Sequence, residues 1–139
     1  MRKSGLLSLL LAGVASLALA GPTPAPEGAS ATIVSPADGA TVTSPVTVVF
    51  GLTGMGVAPA GVEHANTGHH HLLVDVDTLP DLDKPIPADA NHIHFGGGQT
   101  EVKLELKPGT HSLQLLLGDH YHIPHNPPVL SEKITITVE

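Results

Sequence analysis

Apolar residues recur at every second position in several short stretches of this chain. Val46, Val48, Phe50 and Leu52 share one face of an extended segment. Val102, Leu104 and Leu106 alternate with Glu101, Lys103 and Glu105, and Leu113, Leu115 and Leu117 repeat the pattern over His111–Leu117. Ile134, Ile136 and Val138 alternate with Thr135 and Thr137. In the strand predicted over Leu72–Val76, Leu72, Val74 and Val76 point one way, and Leu73, Asp75 and Asp77 the other. Ala31–Val34 and Thr41–Thr43 add two shorter pieces. Turn-forming clusters separate these runs: Ser35-Pro36-Ala37-Asp38-Gly39, a Gly-rich loop from Gly51 to Gly68, a Pro/Asp loop from Leu79 to Asp89, and Lys107-Pro108-Gly109-Thr110, which reads as a four-residue hairpin turn. No stretch combines a helical period with caps. About seven short strands with regular turn signals predict an all-β fold, a single immunoglobulin-like antiparallel β-sandwich, with a jelly roll as the alternative. Val46, Val48, Phe50, Leu72, Val74, Leu104, Leu113, Leu115, Ile134 and Ile136 are expected to line one core between two sheets.

The sandwich is expected to occupy residues 31–139. Its opening, Ser35-Pro36 through Asp38-Gly39 and Thr41-Val42 to Pro45-Val46, resembles the first strands of many extracellular immunoglobulin-like domains. Ahead of it, Arg2 and Lys3 precede an apolar run from Gly5 to Leu19 that ends in the small-residue pattern Ala18-Leu19-Ala20. This pattern predicts a secretory signal peptide over 1–20, cleaved before Gly21, and therefore a periplasmic or secreted protein without a membrane span after cleavage. Gly21–Ser30 reads as a Pro-rich tether without core potential.

Composition narrows the chemistry. Both early cations leave with the signal, so four lysines face thirteen carboxylates, a net charge of −9 with neutral histidines, and no arginine remains. Such a chain offers no basic patch for nucleic acid and no guanidinium clamp for phosphate. The absence of cysteine excludes disulfides, thiolate zinc sites, iron–sulfur clusters and cysteine nucleophiles.

Histidine is the exception to this plain composition. All ten lie beyond the signal: His64; His69, His70 and His71; His92 and His94; His111; His120, His122 and His125. Residues two apart in extended chain share a face, so His69 pairs with His71, His92 with His94 and His120 with His122, each pair able to chelate one cation. His71 stands opposite Leu72 and Val74, on the outer side of its strand, and His120 continues the outer face of Ser112 and Gln114. The expected metal ligands are His69, His71, His92, His94, His120, His122 and His125, with Asp75, Asp119, Glu63 and Glu101 available to supply an oxygen ligand or to orient a ring. His70 shares the Leu72 face and is expected to pack, and His111 is expected to tie down the turn before it. Imidazole suits Cu(II) and Zn(II), while Met55 alone, without cysteine, disfavours a Cu(I) shuttle and excludes a blue-copper site. The expected cofactor is thus a divalent transition metal, Cu(II) or Zn(II). The alternative is a non-catalytic structural or interaction module of the cell envelope, its histidines serving as polar corner groups.

Enzyme templates fit poorly. Glu101 stands seven positions after His94, too far for a cupin, and neither an HExxH helix nor a Gly-x-Ser-x-Gly elbow occurs. The segments Gly54–Gly61, Thr67-Gly68-His69-His70-His71-Leu72-Leu73-Val74-Asp75, Asn91-His92-Ile93-His94-Phe95-Gly96, Pro108–Leu115 and Gly118-Asp119-His120-Tyr121-His122-Ile123-Pro124-His125 together resemble a bacterial secreted family, domain of unknown function 4399. The resemblance spans about residues 31–139. It implies a secreted domain and no catalytic residue.

Overall fold

A computed structural model describes residues 23–139. The predicted signal peptide and the first two residues of the tether lie outside the described residues. Nine strands form two sheets, and no helix occurs among the described residues. The strands are β1 (Ser30–Ser35), β2 (Thr41–Val42), β3 (Val46–Thr53), β4 (Gly56–Val57), β5 (Thr67–Val74), β6 (His92–His94), β7 (Glu101–Leu104), β8 (Gly109–Gly118) and β9 (Ile134–Val138). The smaller sheet has the order β1-β3-β7. The larger runs β2-β9-β8-β5-β4, with β6 also pairing to β5. Most pairs are antiparallel, but β2 with β9 and β4 with β5 are parallel.

The alternation read along the chain becomes the core between the sheets. Val46, Val48 and Phe50 of β3 meet Leu72 and Val74 of β5, Leu113, Leu115 and Leu117 of β8, and Ile134, Ile136 and Val138 of β9, all buried. Leu104, on the outer strand β7 of the smaller sheet, is only partly buried. The mutual burial of these branched side chains is the main driving force for closing the sandwich.

Four local expectations change. The turn Lys107–Thr110 is not a hairpin: β7 pairs with β3 and β8 with β5 and β9, so the chain crosses from one sheet to the other there. Both flanking strands do bury alternate residues, but they do so across the core and not side by side. The strand predicted over Leu72–Val76 ends at Val74, because Asp75 takes the left-handed conformation (φ 56°) and breaks the alternation. Val76 consequently packs with Leu73, Ile86 and Leu116, on the outer face of the larger sheet. The Gly-rich loop contains β4 and the start of β5, so His69, His70 and His71 are strand residues. Residues 23–29 do not run free: Ala25 and Ala29 pack against the core, and Pro24 bridges Asn126.

At the far end of β5 from the histidine triplet, Asp75 closes a corner. Its Oδ1 accepts the Ser112 amide (3.0 Å) and its Oδ2 lies 2.8 Å from His111 Nδ1. His111 Nε2 lies 2.7 Å from the Lys107 carbonyl, so the ring ties down the crossover turn as expected. Both ring nitrogens face acceptors, which only the protonated ring can satisfy with two donors. The Asp75 carboxylate and then the Lys107 carbonyl accordingly raise the His111 pKa.

A raised folded-state pKa gives stability that is complete below the unfolded value and lost as pH rises through the folded one. His111→Gln should therefore be destabilised by about 1–2 kcal/mol at pH 6, from the loss of a charge-assisted bond. The wild-type advantage should shrink as pH is raised above about 6.5. Urea denaturation of both proteins across this range checks it; a difference that grows with pH would contradict the assignment.

Candidate metal centre

The outer face of β5 begins the site. His69 and His71 project from it, and Gly68, His70 and Leu72 face the core, following the period of two. β6 pairs antiparallel to β5 with His94 directly opposite His71. Directly paired residues put their side chains within reach of each other, and these two ring centroids are 5.2 Å apart. On the other side of β5, Gly118 of β8 stands opposite His69. Beyond Gly118 the chain folds over through residues 119–123 and returns His122 to the same face, its Nδ1 3.1 Å from His69 Nε2.

Four imidazoles thus converge from three segments. One nitrogen from each of His69, His71, His94 and His122 lies within 4.8 Å of the other three. An ion about 2.0–2.1 Å from four tetrahedral nitrogens sets them about 3.3 Å apart, so these rings stand within about 1.5 Å of ligating separation. His69 and His71 are fully buried, His122 is half-buried and His94 exposed, which leaves one side of the group open to solvent.

Two glycines make room for the rings. A Cβ on Gly118 would lie 2.7 Å from His71 Cε1 and 3.2 Å from its Nδ1. A Cβ on Gly96, just after β6, would lie 2.8 Å from His94 Nε2. Any larger residue at either position would displace an imidazole or its own backbone.

The electrostatics favour the neutral form at three of the four rings. Burial first, then His122 and His94, lowers His69 from 6.5 to about 4. Burial and the three surrounding imidazoles lower His71 to about 3, and burial followed by His122 lowers His94. Nδ1 of His69 and of His71 is buried without a hydrogen-bond partner. Neutral imidazoles with unshared lone pairs are the form that ligates a cation, and the four residues could hold a metal ion.

The other expected ligands lie elsewhere. His92 shares the outer face but sits beside Leu73, and its Nδ1 is 2.8 Å from Asp89 Oδ1, which also accepts the amides of Asn91 and His92. His120 stacks on Tyr121 at 4.1 Å and turns toward Glu63, 3.9 Å away. His125 is buried against Gly68 with Nε2 3.1 Å from the Thr67 carbonyl. His70 packs in the core, as expected, its ring 5.2 Å from Phe50, with neither nitrogen partnered. Each outer HxH unit therefore gives one ring to the group, and His69 with His71 gives both.

The family described as Domain of unknown function (DUF4399) matches residues 48–139. The chain belongs to that family. The DUF4399 match includes all four clustered histidines and both glycines, and leaves β1 and β2 outside it. No curated protein and no solved structure matches the chain. Sequence reasoning gave Gly96 and Gly118 no role at the site. Gly118 was findable, since a glycine directly before Asp119-His120-Tyr121-His122 marks a place where backbone and rings approach closely.

A lowered folded-state histidine pKa means that the unfolded chain binds more protons below about pH 6.5, so stability falls with pH there. In EDTA, urea midpoints should decline between about pH 6.5 and pH 4, where His69 and His70 titrate in the fold. His70→Leu removes two unpartnered nitrogens from an apolar environment, and should raise metal-free stability at pH 5 by on the order of 1 kcal/mol. A variant less stable than wild type at that pH would mean that His70 has a partner in solution.

Proposed function

We propose that this protein is exported to the periplasm and binds a divalent transition metal, Cu(II) or Zn(II), through His69, His71, His94 and His122. The observation that carries this reading is the convergence of four ring nitrogens within 4.8 Å, two of the rings buried and held neutral. An all-nitrogen donor set favours Cu(II) over Zn(II) in affinity, and Zn(II) accepts the same donors with four-coordinate geometry. No carboxylate is among the donors, so the ion keeps its full charge, and an acidic protein offsets it at longer range. The N-terminal pattern of cations, apolar run and small-residue exit supports export. Among the described residues no helix is long and apolar enough to cross a membrane.

When bound, the metal supplies Lewis-acid or redox chemistry. The chain's own residues hold it: β5 fixes two rings on a rigid strand, and β6 and the 119–123 turn bring the others from the solvent side. A second reading, a structural module of the envelope with corner histidines, is favoured at His92 and His111, each of which bonds an aspartate at a loop.

Protein made without a histidine tag should take up one equivalent of Cu(II) or Zn(II) in titration calorimetry. A metal at one hundred times its Kd should add about 2.7 kcal/mol to stability, reversed by EDTA. His69→Ala or His71→Ala should weaken binding by more than about 100-fold, beyond what loss of an outer partner does, while His92→Ala should leave it within about twofold. No uptake by wild type, together with strong destabilisation of His92→Ala in EDTA, would favour the structural module.

A further inference from the structure

The turn that delivers His122 is organised by one carboxylate. Asp119 is 4% exposed. Its Oδ1 accepts the amides of Tyr121 (2.9 Å) and Ile123 (3.0 Å). Its own amide donates to the Ile123 carbonyl (2.8 Å), and its carbonyl accepts the His122 amide (2.9 Å). Within this closed turn His122 has φ 66°, a left-handed conformation that costs an ordinary L-residue about 1 kcal/mol or more unless its surroundings impose it. The Ile86 amide, donating to the His122 carbonyl at 2.8 Å, fixes the same residue from the loop above. His122 is thus aimed at His69 by its backbone.

The remaining carboxylate oxygen is closed from the other end of the chain. Thr23 Oγ1 donates to Asp119 Oδ2 at 2.6 Å, across 96 positions of sequence. The segment around Thr23 is itself held down: the Asn126 amide donates to the Thr23 carbonyl (2.9 Å) and the Ala25 amide to the Asn126 carbonyl (3.1 Å). The Asp119 carboxylate thus accepts three hydrogen bonds, from Thr23, Tyr121 and Ile123. Thr23–Ala25 lie outside the stretch of the chain that matches the family, residues 48–139.

We propose that Thr23–Ala25 is a working part of the metal centre: its docking on Asp119 holds the turn that aims His122, making Thr23 and Asp119 positioning residues for the fourth donor. This rests on the reading of the cluster as a metal site. Asp119 acts through the turn and not as a ligand, since its oxygens are committed to Thr23 and to two backbone amides.

The test uses untagged protein carrying its native N-terminal segment, with Cu(II) alone as the probe. Affinity is read by competition with a chelator, and nitrogen coordination by electron paramagnetic resonance. Thr23→Val, which loses the donor at constant shape, should weaken Cu(II) binding about tenfold, as loss of an outer partner does, and alter the nitrogen pattern. Thr23→Ser keeps the donor and should bind as wild type. In a His122→Ala background, Thr23→Val should have no further effect. Metal-free melting of every variant separates loss of fold from loss of aim. Wild-type affinity in Thr23→Val, or an equal loss with and without His122, would overturn the proposal while leaving the metal reading standing. Failure of wild type to bind either Cu(II) here or Zn(II) in titration calorimetry would remove the metal reading, and this proposal with it.

Discussion

The two-residue period of β5 sorts its eight residues into two environments, and the rest of the molecule is arranged around that division. Gly68, His70, Leu72 and Val74 enter the apolar space between the sheets, and His69, His71 and Leu73 enter the face covered by the loops after β5 and β8. The register with β8 makes the division permanent: Leu72 meets Leu115, and His69 meets Gly118. A slip of one residue would drive two imidazoles into the core and lift Leu72 out of it. It would also set a leucine where the glycine leaves room for a ring. Apolar burial on one face therefore fixes the position of the polar chemistry on the other.

Much of this was legible in the chain, for a definite reason. Alternation is a local property, so Val48, Phe50, Leu72, Leu113, Leu115 and Ile136 declared their faces without knowledge of their partners. The same logic put His69 and His71 on the outer side and His70 with Leu72. It failed where the chain leaves the extended state. Asp75 and His122 both take left-handed backbone, and past each of them the period of two no longer tells which way a side chain points. His120 and His122 therefore part company, although their spacing makes them a chelating pair. His92 and His94 do share a face, but Asp89 sits three residues before His92 and engages its ring, a contact that depends on loop shape and not on strand period. Which sheet β7 and β8 join is likewise a long-range matter, invisible to a turn signal of four residues.

The site also carries a thermodynamic tension. Buried imidazole nitrogens without partners are costly, and here they occur on three consecutive residues of a central strand. The leucines flanking them on β5 and β8 bury completely and offset that cost by cooperative packing. Local conflict with the rules that govern a stable core is expected where a structure serves something besides stability. Here the conflict lies in the His69–His71 stretch and at Nδ1 of His125 beside it, whereas at the other end of the same strand Asp75 and His111 satisfy each other.

The side of β5 away from β8 is covered in two pieces, β4 against Thr67 and Gly68 and β6 against His71, Leu72 and Leu73. A bare strand there would present a row of open amides and carbonyls beside buried leucines, a template for joining another molecule's sheet. β6, only three residues long, is the guard that prevents it over the leucine-rich half. Because His94 belongs to that guard, the segment that shields this sheet from self-association is also the one that lends a ring to the imidazole group. In this protein, colloidal behaviour and histidine chemistry are thus joined in one short strand.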